Sequence, residues 1–91
     1  KKETQQFNNN AQIIKTLKIT ISKIEKRLLR LNEKLDKANS KLADPEIYID
    51  DRAEDLQDLI RNQLELSNEV EAADQEWLSL VSKLETLNED N

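Results

Sequence analysis

The chain has 91 residues, of which 36% are charged and 3% are aromatic, and its formal net charge is −5. It contains no His, Cys or Gly, which excludes an imidazole base, a disulfide, a soft metal site and a glycine-rich phosphate loop. We therefore expect no catalytic, cofactor-binding or metal-binding residue in this chain. Its size allows one small domain at most, and the abrupt basic start suggests a piece of a larger protein.

Residues 1–12 are polar and poor in strong helix formers, and they are predicted to form a linker or a frayed N-terminus. Phe7 lies in register with the pattern that follows, so it is the residue through which the first helix would be extended. No apolar run reaches the length of a membrane span, and the start has no signal-peptide core. A cytoplasmic location without a membrane partner is expected.

From Ile14 onward, apolar residues alternate three and four positions apart, which is the a/d pattern of a coiled-coil helix. The a and d positions are Ile14, Leu17, Ile21, Ile24, Leu28, Leu31, Leu35, Ala38 and Leu42. The pattern predicts a helix over 13–43, with about 42 Å between its first and last core residues at ~1.5 Å per residue.

The tip of the fold is predicted at residues 44–51, around the only proline of the chain. Asp44 is a good N-cap and Pro45 suits the first position of a short helical turn. Asp50 and Asp51 are predicted to cap the next helix. With Glu46, these acids also resemble a hard-cation cluster, but a calcium loop needs a glycine at its sharp turn, so capping is the favoured interpretation.

A second heptad pattern predicts a helix over 52–88. Its a and d positions are Leu56, Leu59, Gln63, Leu66, Val70, Ala73, Trp77, Leu80, Leu84 and Leu87. Two equal patterns joined by a short tip predict an all-α fold, a two-helix antiparallel coiled-coil hairpin over 13–91 with a short helical turn at its tip. We expect this hairpin to be a monomer.

The register of the hairpin has two candidate solutions, because an a position faces a d position in an antiparallel coiled coil. The preferred register faces Leu42 with Leu59, Ala38 with Gln63 and Ile24 with Trp77. The alternative is one heptad tighter and would bury Gln63 against Leu31. Trp77 is interpreted as a core anchor rather than a binding residue.

Charge divides the chain into two halves. Residues 1–43 carry a net charge of +7 and residues 44–91 a net charge of −12. At the g positions, the preferred register predicts that Arg27 lies near Glu76 and Lys34 near Glu69. Exposed pairs of this kind contribute only ~0.2–1 kcal/mol each, so their main effect is to favour a hairpin over a parallel dimer.

A basic row runs along the outer face of the first helix. Lys23, Arg30 and Lys37 occupy c positions seven residues apart, with Lys15 and Lys26 beside them. A solvated charged face is the usual explanation of such a row, and a track along a phosphate backbone is the alternative. Tyr48 at the tip is open to two interpretations as well, packing over the helix ends or stacking on a base or partner surface.

Two segments resemble the C-terminal domain of ABC-F proteins of the Uup and YheS types, which have two fused ATP-binding cassettes and no membrane domain. They are Lys41-Leu42-Ala43-Asp44-Pro45-Glu46-Ile47-Tyr48 and Glu71-Ala72-Ala73-Asp74-Gln75-Glu76-Trp77. The similarity runs from about Ile14 to Leu87. It implies a coiled-coil tail, a parent ATPase that acts on ribosomes in translation, and nucleic-acid contact by the tail. ATP and magnesium would belong to the parent, because the ATP-binding motifs of the family are absent from this chain.

Two functional classes follow from the sequence. The first is a non-catalytic arm that contacts the ribosome or a nucleic acid, namely ribosomal RNA, tRNA or DNA. Its contact residues would be Lys15, Lys23, Lys26, Arg30, Lys37 and Tyr48. The second is a protein-interaction or spacer hairpin of a cytoplasmic assembly, which the overall acidic charge favours because it repels nucleic acid.

Overall fold

The computed structural model describes residues 2–49 and 53–89, and the side chains of residues 10–49 and 53–89. Helix α1 spans Lys2–Ala43 and helix α2 spans Ala53–Glu89, with a short 3₁₀ helix, Pro45–Tyr48, between them. The two long helices pack against each other in a rod of 73 × 17 × 14 Å. The predicted all-α hairpin with a helical turn at its tip is therefore confirmed.

The heptad pattern determines which side chains the two helices bury. Every predicted a and d position from Ile14 to Leu87 is buried or half-buried. The most enclosed part of the core consists of Ile24, Leu31, Ala38, Leu66 and Ala73. Among these five residues, Ala38 and Ala73 have the smallest exposed fractions, 3% and 4%. The larger side chains are more exposed, because two helices alone cannot enclose a large side chain on all sides. Stability therefore depends on one layer of apolar contacts along the rod.

Contacts between the helices support the preferred register. The indole N–H of Trp77 donates a hydrogen bond to the carboxylate of Glu25, which is adjacent to the predicted partner Ile24. At the tip, Lys41 and Asn62 line the same cleft. The tighter register would instead bring Trp77 opposite Leu17. No buried side-chain nitrogen or oxygen in the described part of the chain lacks a hydrogen-bond partner, and the half-buried Gln63 is consistent with this.

Helix α1 begins earlier than the sequence predicted. Residues 1–12 are predicted to be a linker or frayed N-terminus, whereas the structure includes this stretch in α1 from Lys2 onward. The physical reason is that lengthening an existing helix adds one hydrogen bond per residue, and no Gly or Pro interrupts this stretch. Helix α2 is described from Ala53 to Glu89. Position 52, where it was predicted to begin, lies outside the described residues, and the one-residue difference from the predicted end at position 88 lies within the variation of helix assignment.

The tip has the predicted capping chemistry. Asp44 is the N-cap of the 3₁₀ helix, its carboxylate accepts the backbone N–H of Glu46 at 3.0 Å, and Pro45 follows at the start of the helix. Ile47 is buried beneath the turn. The hydroxyl of Tyr48 donates to the backbone carbonyl of Leu42 at 2.6 Å, which satisfies one of the free carbonyls at the end of α1. The predicted caps at positions 50 and 51 lie outside the described residues.

The predicted ion pairs between the helices are not formed. Neither Arg27 and Glu76 nor Lys34 and Glu69 form an ion pair, although all four residues belong to the described part of the chain. These side chains are exposed, where the Coulomb gain is small and holding two long side chains together costs rotamer entropy. The helices are thus held together by their apolar residues, and these charges remain available to other partners.

Candidate nucleic-acid interface

The predicted c-position row is present on the outer surface of α1. Lys23, Arg30 and Lys37 are exposed and belong to one uninterrupted helix, so their spacing is that of a regular α-helix. Residues seven apart on such a helix recur every ~10.5 Å. Since α1 is one continuous helix packed along α2, the three cations lie on a line.

Three further cations lie on the same side of α1 and were not predicted to be part of the interface. Arg27, Lys34 and Lys41 are exposed and occupy the g positions next to the c row. The heptad pattern predicts ion pairs of Arg27 with Glu76 and of Lys34 with Glu69, and the structure contains neither. Each of the three g-position cations lies four residues after a member of the c row and therefore on the same face of the helix, and this spacing was the signal in the sequence that could have identified them. Together with the three residues of the c row, they form what we call the basic stripe: Lys23, Arg27, Arg30, Lys34, Lys37 and Lys41.

The basic stripe is narrow and straight. At ~100° per residue, its six members fall within a sector of about 80° of the helix surface. From Lys23 to Lys41 the stripe is about 27 Å long at ~1.5 Å per residue. A shallow groove of about 340 Å³ lies along its middle, lined by Arg27, Arg30, Leu31 and Lys34. Two guanidinium groups and an ammonium group around one groove favour an anionic ligand.

The two remaining predicted lysines are placed differently from each other. Lys26 is exposed on the back of α1, about 60° from Lys23 around the helix at ~100° per residue. Lys15 is also exposed but lies about 80° from Lys23 and nearer the open end of the hairpin. Lys26 therefore borders the basic stripe, whereas Lys15 does not belong to it.

Acidic residues of α2 lie on the same flank of the hairpin as the basic stripe. Glu69 and Glu76 are at g positions, across the core from Lys34 and Arg27, as the preferred register predicts. They lie on this flank because the g positions of both helices share one flank in an antiparallel coiled coil. A polyanion would therefore approach from the outer side of α1, away from α2.

The tip offers one aromatic ring to a ligand. Tyr48 is 58% exposed while its hydroxyl is bonded to the end of α1. The hydrogen bond fixes the position of the ring without covering it. The bond to the end of α1 agrees with the first interpretation of Tyr48, and stacking of its exposed ring on a base or partner stays a prediction.

The cleft at the tip is not suited to phosphate. It has a volume of about 450 Å³ and is lined by Lys41, Asp44, Ile47, Asp55, Asp58, Leu59 and Asn62. Three carboxylates against one ammonium group would repel an anion. Lys41 is the one member of the basic stripe that lines this cleft, and the other five members do not line it.

Comparison of the chain with protein-family models, with curated proteins and with solved structures found no match. Within the described residues, neither α1 nor α2 contains a segment apolar enough to cross a membrane.

Proposed function

We propose that the chain is a non-catalytic arm that lays the basic stripe of α1 along the phosphate backbone of a nucleic acid. The observation that carries the proposal is the line of six exposed cations, none of which forms an ion pair with another described residue. Ion pairs with phosphates supply most of the affinity of such contacts, because they release condensed counterions.

The composition of the stripe indicates how a polymer would be bound. Its six members are all lysine or arginine in one straight row, which matches the repeated charges of a phosphate backbone rather than the edges of particular bases. Contacts of this kind position a protein on the polymer but carry little sequence information. Stacking by Tyr48 is the one contact that reaches a base.

The resemblance to ABC-F tails supports the same proposal and adds a setting. In that setting the polymer is ribosomal RNA or tRNA, the contact takes place on the ribosome in the cytoplasm, and ATP and magnesium are bound by the parent ATPase. The isolated arm then binds weakly and gains effective affinity by being tethered to the parent.

The test is a triple substitution of the c row, Lys23→Gln, Arg30→Gln and Lys37→Gln. Its matched control is Lys18→Gln, Arg61→Gln and Lys83→Gln, which changes the net charge equally but leaves the basic stripe intact. Binding to ribosomes, to single-stranded RNA and to duplex DNA is measured at several salt concentrations. Three lost phosphate contacts reduce the slope of log K against log salt by about 2 to 3.

Equal effects of the two triple variants would show that only net charge matters. Unchanged affinity and slope in the c-row variant would leave the stripe as a solvated face. Either result would favour the alternative function, a protein-interaction or spacer hairpin. Both variants keep the helices intact because every substituted residue is exposed, and circular dichroism checks this.

A further inference from the structure

The flank of the hairpin opposite the basic stripe is apolar and acidic. On α1 and α2 this flank is formed by the e and b positions, and it includes Trp77's partner Glu25. Four large aliphatic side chains are exposed there by 49–63%, namely Leu29, Ile60, Leu64 and Leu78. Single exposed leucines are ordinary, but these four share one side of a rod only 17 Å wide.

The exposed aliphatic residues follow a helical repeat along the rod. In the observed register Leu29 of α1 lies level with Ala72 of α2. Along the axis of the rod, Leu64 is therefore about 12 Å from Leu29 on one side, and Leu78 is about 9 Å from it on the other. One heptad of a partner helix advances ~10.5 Å, so a helix laid along this flank presents one apolar turn to each residue. Ile60 adds to the contact at the tip end.

The charges between the aliphatic residues are all of one sign. From Ile60 to Leu78, and over the facing part of α1, the e and b positions carry four acids and no base. They are Glu25, Asp36, Glu71 and Asp74. A second copy of the chain would bring the same four acids against this flank, so charge disfavours self-association through it. A basic segment is complementary.

We infer that this flank docks a basic amphipathic helix of another protein or another domain, whose leucine-type residues cover Leu29, Leu64 and Leu78. Lysine or arginine residues on the edges of that helix meet the four acids of the flank. The basic stripe on the other flank repels the same partner, so docking is restricted to one side of the hairpin. This site is independent of the phosphate contact, because it uses no residue of the basic stripe.

The probe is a synthetic 21-residue peptide with leucine at its a and d positions and lysine at the others. A second peptide carries glutamate in place of lysine. Binding is followed through the fluorescence of Trp77, the only tryptophan of the chain, which lies at this flank. The lysine peptide is expected to bind and the glutamate peptide is not.

The decisive variant is Leu29→Gln with Leu64→Gln and Leu78→Gln. Its control is Ile13→Gln with Ile19→Gln, two exposed apolar residues that lie outside this flank. The leucine variant is expected to weaken binding of the lysine peptide by at least about tenfold, and the isoleucine variant by less than about twofold. Because all five residues are exposed, helix content is expected to be unchanged, which circular dichroism checks.

Three results would overturn the inference. The first is equal binding of the lysine peptide to the two variants, and the second is absence of measurable binding to the unmodified chain. The third is reversible self-association of the chain that the leucine variant abolishes in sedimentation, since the occupant would then be a second copy.

Discussion

Trp77 Nε1 donates a hydrogen bond to Glu25 Oε2 at 3.1 Å, although the two residues are 52 positions apart in the chain. Trp77 occupies an a position and is packed against the core, so its ring lies between the helices while its N–H reaches the rim. One residue thus contributes apolar contact and a directional bond between α1 and α2. Sliding one helix by a heptad breaks that bond.

This bond is expected to be measurable as a coupling between the two residues. Trp77→Phe removes the donor and Glu25→Ala removes the acceptor, and each is expected to lower the free energy of unfolding. In a double-mutant cycle their coupling should be ~0.5–1.5 kcal/mol, the net value of a typical hydrogen bond. Urea unfolding followed by circular dichroism measures it, and strictly additive effects would contradict the contact.

The register is expected to be visible by crosslinking, because the chain has no cysteine of its own. Cysteines introduced in place of Arg27 and Glu76 share a flank and a level in the observed register. They should oxidise or react with a short bifunctional maleimide faster than cysteines at Arg27 and Glu69. Faster reaction of the second pair would indicate that the helices are displaced by one heptad.

The apolar pattern predicted the course of both helices because burial has a fixed period in a coiled coil, and Ile24 and Leu66 are buried for that reason. The bond between Glu25 and Trp77 was not predicted, since heptad positions do not specify where an indole N–H emerges. The register places Arg27 near Glu76, but no ion pair forms between them, because exposed long side chains have many rotamers of similar energy. Because Arg27 and Lys34 were assigned to such ion pairs, the full extent of the basic stripe was not predicted.

The cap at the tip is expected to contribute to stability. Asp44→Ala removes the acceptor of the Glu46 N–H and should lower the free energy of unfolding by ~0.5–2 kcal/mol, as for other N-caps. Asp44→Asn is the control, because asparagine caps about as well as aspartate. Thermal unfolding measures the stability of both variants. If the two lose equal stability, the charge of Asp44 rather than its capping bond is responsible.

The isolated chain is expected to be a monomer at low micromolar concentration. The apolar a and d positions of both helices are already covered by each other, and the acidic flank repels a second copy. Sedimentation equilibrium should give a single species of 10.6 kDa. A stable dimer at low salt would contradict this prediction, and a dimer that appears only at high salt would show that the acids of the flank oppose association.

The g-position cations are expected to contribute to polyanion binding as much as the c row does. Arg27, Lys34 and Lys41 form no ion pair with the described residues, so changing all three to glutamine should remove three phosphate contacts. The slope of log K against log salt for RNA should then fall by about 2 to 3, and combining both triple variants should reduce it by about 4 to 5.

The outcome of the g-row experiment depends on Glu69 and Glu76, which lie on the same flank as the basic stripe. If these acids already neutralise Arg27 and Lys34 at a distance, the g-row variant will leave the slope unchanged while the c-row variant lowers it. In that case Glu69→Gln with Glu76→Gln should strengthen binding, and the contact surface would be restricted to Lys23, Arg30 and Lys37.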